Sequence, residues 1–129
     1  MVNLDLAVAI GAPGMTVLPG VLFPDGWEAS IDRAADTLAL LVRGAKERGL
    51  GLSIEPHIQS VVDTVAKTEE LLARTPGLTL TLDHAHFIRA GELQPAIDRL
   101  LPHARHIQVR GGSPTQLQAP MAENVIDFN

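Results

Sequence analysis

The apolar residues of this chain fall into short runs separated by longer stretches in which they recur every three or four positions. Met15 to Leu18 is such a run, ending in Pro19-Gly20, and it predicts a strand that feeds a Pro- and Gly-punctuated loop over 21–27. Ile31, Ala34, Leu38, Leu41 and Ala45 then repeat at helical spacing, with Ser30 placed to cap, Lys46 and Arg48 in the last turn and Gly49 as the stop. Residues 52–57 read as a brief strand halted by Pro56. A second helix is predicted over 62–74, rich in Ala, Leu, Glu and Lys, and closed by Thr75-Pro76-Gly77. The strand at 78–82 comes at once, its β-branched Thr79 and Thr81 alternating with leucines. A third helix covers 93–101, where Pro95 is tolerable because it lies in the first turn. Residues 105–110 form the last predicted strand, and Gly111-Gly112-Ser113-Pro114 opens a loop that runs to the end.

Strands alternating with helices through short connections argue for an α/β chain with a parallel sheet and right-handed crossovers. In such sheets function gathers at the carboxyl ends of the strands. Those ends are Pro19-Gly20, Glu55-Pro56-His57, Asp83-His84-Ala85-His86 and Gln108-Val109-Arg110, and the last three turn ionisable or polar directly after apolar residues.

Composition narrows the partners. Ten Lys and Arg against 15 Asp and Glu give a net charge of −5, and the basic residues are scattered, which disfavours a nucleic-acid partner. The absence of cysteine excludes disulfides and thiolate metal sites and agrees with a reducing compartment, so a cytoplasmic location is expected. The first ten residues lack a basic flank and are too short to span a bilayer, so neither signal peptide nor membrane anchor is expected. A chain of 129 residues with 46% hydrophobic content holds one core, hence one domain over 1–129.

Strand residues two apart share a face, which groups Glu55 with His57 and also groups His106, Gln108 and Arg110. Burying such a set without compensation is costly, so a metal and a polar substrate are its natural partners. Ser-Ile-Glu-Pro-His at 53–57, Leu-Asp-His-Ala-His at 82–86 and His-Ile-Gln-Val-Arg at 106–110 together resemble consecutive strand ends of the xylose isomerase-like superfamily. Ala-Lys-Glu-Arg-Gly before the first of them and Glu-Asn-Val-Ile-Asp-Phe at 123–128 resemble its linking segments. That superfamily holds sugar isomerases, ketose 3-epimerases, hydroxypyruvate isomerases and apurinic-site endonucleases.

The resemblance implies a partial (β/α)8 TIM barrel of about four parallel strands, since a complete one takes about 250 residues. It makes Glu55 a metal ligand and catalytic acid/base, Asp83 the second ligand, and Gln108 the third, at a place where many members have His and hydroxypyruvate isomerase-like members have Gln. His86 matches the Asp-x-x-His signature and implies substrate contact, and Arg110 and His57 are further substrate-binding candidates. Oxygen donors of this kind suit Mg²⁺ or Mn²⁺, which would hold neighbouring hydroxyl and carbonyl oxygens of a sugar or small hydroxy-carbonyl compound while a proton leaves carbon. A second carboxylate, carried in the family by a later strand, has no counterpart before Asn129, so inactivity of the chain alone is expected. Two other readings stand beside this one: a non-catalytic barrel fragment that pairs with itself or with a missing half, and, fitting less well, an apurinic-site endonuclease-like hydrolase, which needs a richer His cluster and a basic groove. His57 and His106 also admit a supporting role, Trp27 and His103 are explained by packing and a helix end, His84 points away from Asp83, and Gln118 is a candidate substrate contact.

Overall fold

The computed structural model describes residues 2–128. Four strands, β1 (Gly14–Val17), β2 (Gly51–Ile54), β3 (Thr79–Leu82) and β4 (Ala104–Ile107), form one parallel sheet in sequential order. Helices α1 (Val2–Ala9), α2 (Trp27–Glu47), α3 (Val65–Arg74), α4 (His84–Arg89) and α5 (Gln94–Ile97) precede or connect them. The core lies between the sheet and these helices: Leu52, Ile54, Leu80 and Leu82 meet Ile31, Leu38, Val65, Leu71, Phe87, Ile97 and Leu100.

The other face of the sheet carries hydroxyls. Ser53 Oγ and Thr79 Oγ1 lie 2.8 Å apart, and Thr79 Oγ1 donates to the Leu52 carbonyl. Thr16 Oγ1 on β1 and Thr81 Oγ1 on β3 are 2.7 Å apart although β2 runs between their strands. In a flat sheet those two strands would stand roughly 9.5 Å apart. Their hydroxyls can meet only because the sheet curls with this face inward, as a barrel wall does. At the amino-terminal end of the inner face a hollow of ≈ 250 Å³ is lined by Gly14, Thr16, Gly51, Ser53 and Arg105. It lies at the opposite end of the strands from Glu55 and Asp83.

The expected alternation of strands and helices is present, with several boundaries moved for identifiable reasons. The long helix begins at Trp27 rather than Ser30, because Pro24-Asp25-Gly26 makes the turn and Gly26 is the capping position. Ser30 lies buried inside the first turn, where its Oγ donates to the Gly26 carbonyl and accepts the Phe23 N–H. Trp27 packs on the core and donates Nε1–H to the Val61 carbonyl. The next helix starts at Val65, three residues later than expected, with Thr64 Oγ1 accepting the Lys67 N–H as its cap. The helix expected over 93–101 is a single turn, Gln94–Ile97, which tightens into a 3₁₀ segment over Asp98–His103. Pro102 has no N–H to bond the carbonyl four residues back, and a tightened turn avoids the clash of its ring.

Two helices lie outside the expected pattern. Val2–Ala9 is apolar on nearly every side, so no periodic stripe marks it. His84–Arg89 is too short to show one, although Asp83 before it and Gly91 after it are ordinary helix-end residues. Between β3 and β4 the pairing passes from Leu80↔Ala104 to Thr81↔His106, so Arg105 is an extra residue on β4. The final loop is fastened: Asn124 Oδ1 accepts the N–H groups of Gly112 and Ile126, Gln94 exchanges two hydrogen bonds with the Asp127 backbone, and Ile126 is in the core.

Replacing Leu80, fully buried on the helix side of β3, by Ala should cost about 2–5 kcal/mol of stability. The same change at Leu40, 58% exposed on α2, should stay within about 0.5 kcal/mol. Urea unfolding of the two variants tests this, and equal losses would contradict the placement of the core.

Candidate metal and proton-transfer site

β2 and β3 end side by side, and each hands the chain a carboxylate in the first residue after the strand. Glu55 N–H donates to the Val17 carbonyl, which keeps Glu55 in line with the sheet although the strand proper ends at Ile54. Asp83 sits at the N-cap of α4, where its Oδ1 accepts the Ala85 N–H at 2.9 Å. This cap turns β3 directly into α4 and carries His86 back over the strand end. Ligand atoms of Glu55, Asp83 and His86 all lie within 4.8 Å of one another. His86 Nε2 is 3.8 Å from both Glu55 Oε1 and Asp83 Oδ2.

Arg110 reaches the same point from beyond β4. Its Nη2 is 2.5 Å from Asp83 Oδ2, an ion pair, and 3.0 Å from His86 Nε2. The N–H bonds of Arg110 do not aim at Oδ2, which is left buried without a hydrogen-bond donor, as are His86 Nδ1 and Arg110 Nε without partners of their own. A guanidinium can only donate, so His86 Nε2 is the acceptor and the neutral ring carries its proton on Nδ1. The route of Arg110 is set by the glycines after it. A Cβ on Gly112 would stand 2.7 Å from Ala85 Cβ, so only glycine lets this loop press against the start of α4.

The remaining candidates divide clearly. His57 is half-buried, with its ring centroid 5.8 Å from that of His86. Its Nδ1 donates to the Ile58 carbonyl at 2.8 Å, so that in the neutral ring the lone pair is on Nε2. Gln108 is half-buried just past β4, and its backbone N–H donates to the carbonyl of Leu82, the residue before Asp83. His84 is buried on the helix side and pairs with Asp98 at 3.0 Å, away from the cluster. His103, His106 and Gln118 are exposed.

The "Xylose isomerase-like TIM barrel" family profile matches residues 2–129. The chain belongs to that family. Solved structures with the same fold include a D-tagatose 3-epimerase-like protein (TM-score 0.82, 17% identity, covering 98% of this chain and 52% of that one). Another is the probable 3-DHS dehydratase AsbF of petrobactin synthesis from Bacillus anthracis (TM-score 0.80, 15% identity, 98% and 54%). A third is a xylose isomerase-like TIM barrel protein from Mycobacterium smegmatis in complex with magnesium (TM-score 0.64, 19% identity, 84% and 42%). This member of the family thus spans about half the length of the solved relatives it matches. A comparison with curated protein sequences finds none similar. Among the described residues no helix is long and apolar enough to cross a membrane.

Burial holds the His86 imidazole below its ordinary value of 6.5; the nearby Asp83 charge works against this, and Arg110 and His57 reinforce it. The folded chain therefore binds this proton less readily than the unfolded chain does. The associated stability is complete above about 6.5 and is lost as the pH falls from there through the lower folded value. An NMR titration of the metal-free protein should show the His86 ring with a midpoint below 6.5, and a midpoint at or above it would contradict the burial argument.

Proposed function

We propose that this cluster is the metal and proton-transfer site of an isomerase or epimerase that acts on a sugar or another small hydroxy-carbonyl compound. The observation that supports it most is the convergence of Glu55, Asp83 and His86 within 4.8 Å around a buried carboxylate oxygen that no donor satisfies. Two carboxylates meet here against the single guanidinium of Arg110, which gives Asp83 Oδ2 charge but no aligned hydrogen bond, and a divalent cation is the further compensation that this donor set fits. Glu55 and Asp83 would hold it, with the Gln108 carboxamide as the third donor from β4. Hard oxygen donors favour Mg²⁺ or Mn²⁺; of the solved structures with this fold, the Mycobacterium smegmatis protein is a magnesium complex and another, the IOLI protein, carries zinc.

When bound, the cation supplies Lewis acidity at a carbonyl oxygen and so acidifies the neighbouring C–H. The residues of the chain do the rest. Glu55, partly exposed at the strand end, is the general base that takes the proton from carbon. His57 Nε2 has a lone pair to accept a substrate hydroxyl and orient it. His86 borders the same space and touches the substrate from the α4 side, and Arg110 offers a guanidinium to an anionic substituent. The group that returns the proton from the opposite face is assigned to the part of the barrel that this chain does not span.

Calorimetric titration with Mn²⁺ tests the reading directly. The protein should bind the ion, and Asp83→Asn or Glu55→Gln should weaken binding by at least about tenfold, as loss of a charged donor does. Heat from neither Mn²⁺ nor Mg²⁺ would refute it. In the complete barrel, turnover in D₂O should place deuterium on the substrate carbon, and Glu55→Gln should suppress this exchange at least about a hundredfold.

A further inference from the structure

We propose that Arg110 is a resident counter-cation that exchanges with the metal, and that the released guanidinium then selects an acidic ligand, so that divalent cation and small carboxylate bind cooperatively. The inference rests on the metal reading above and extends it to the class of substrate.

The carboxylate oxygen that would receive a cation is the one Arg110 now occupies. Its Nη2 lies against Asp83 Oδ2 at 2.5 Å and donates to the neighbouring His86 Nε2 at 3.0 Å. A cation bonded to Oδ2 would share its position with a like charge, so Arg110 has to withdraw from it. Its hold is suited to withdrawal. Asp83 Oδ2 receives no aligned hydrogen bond from it, and Arg110 Nε is buried without a partner. A permanent structural ion pair at this depth would be expected to satisfy both groups.

Charge balance then selects the ligand. Glu55 and Asp83 against Arg110 leave a formal −1 in the cluster, and a divalent cation turns this into +1. The Arg110 side chain is only 18% exposed, and the close approach of Gly112 to Ala85 pins the backbone beside it. It cannot escape far into water once Asp83 is taken. A carboxylate on the ligand restores neutrality at the cation and the guanidinium together, and a bidentate carboxylate matches the shape of the guanidinium. A neutral polyol restores nothing. The site therefore favours an acidic hydroxy-carbonyl substrate over an uncharged sugar.

Mn²⁺ binding is measured by calorimetry and by the free-ion electron paramagnetic resonance signal, in wild type, Arg110→Gln, Arg110→Lys and Asp83→Asn, with glycolate or ethylene glycol added. Arg110→Gln should lower the thermal midpoint of the metal-free protein, since Asp83 loses its counter-charge, and yet bind Mn²⁺ at least about fivefold more tightly. Arg110→Lys keeps the charge and should stay near wild type. Glycolate should tighten Mn²⁺ binding to wild type, ethylene glycol should not, and Arg110→Gln should abolish the glycolate effect. Equal or weaker Mn²⁺ binding by Arg110→Gln, or no glycolate effect in wild type, overturns the exchange while loss of binding in Asp83→Asn leaves the metal site standing. Undiminished Mn²⁺ binding by Asp83→Asn overturns both. If Arg110→Gln does not fold, the glycolate effect on wild type and its persistence in Arg110→Lys decide the matter.

Discussion

The side chain of Asp83 is 1% exposed, and a carboxylate withdrawn from water to that extent organises whatever surrounds it. One oxygen is spent on the chain itself, accepting the Ala85 N–H and so converting the end of β3 into the start of α4. That turn is what carries His86 over the strand end. The second oxygen draws Arg110 from the far side of β4. A strand end, a helix start and a loop from the neighbouring strand are thus tied to one side chain. Replacing Asp83 by an apolar residue would remove the cap, the ion pair and the reason for His86 to lie where it does.

The sheet supports this arrangement by dividing its two faces. Leucine and isoleucine on β2 and β3 bind the helices, while Ser53, Thr79, Thr81 and Thr16 line the inside. Small hydroxyls that bond one another let the strands curl inward without burying unsatisfied polar atoms, as larger side chains there would not. The curl brings consecutive strand ends toward a common point, so Glu55 and Asp83, on different strands, approach the same imidazole. Curvature and convergence of the polar groups are in this sense one property of the sheet.

Much of the fold is legible in local chemistry. The four strands can be read because each is a short apolar or alternating run bounded by Gly or Pro, and α2 because its stripe recurs over many turns. The shifted boundaries have local causes. Trp27 lies four residues before Ile31 and extends the α2 stripe by a turn, a signal outweighed by Ser30, which resembles a cap but is buried. Thr64 is the true cap of α3, and Val62, helical by its sequence context, belongs to the core of the preceding loop. Helices α1 and α4 leave no periodic signal because one lacks a polar face and the other is too short for a period to show.

The candidate site is legible as a set of residue types at strand ends, Glu55, His57, Asp83, His86, Gln108 and Arg110, because side-chain alternation along a strand and the parallel order of the sheet are local rules. Sequence by itself thus determined the order of the four strands and of the longer helices between them, the faces the strands present and which polar groups arrive at the same end. Only the tertiary structure decided which of these groups touch. The meeting of Arg110 with Asp83 and His86 depends on a loop that passes Ala85 within reach of a missing Cβ at Gly112, and on the bulge at Arg105 that sets the course of β4. Contacts between residues 24 or more positions apart arise from curvature and close packing in three dimensions, and neither is encoded in the spacing of residues along the chain.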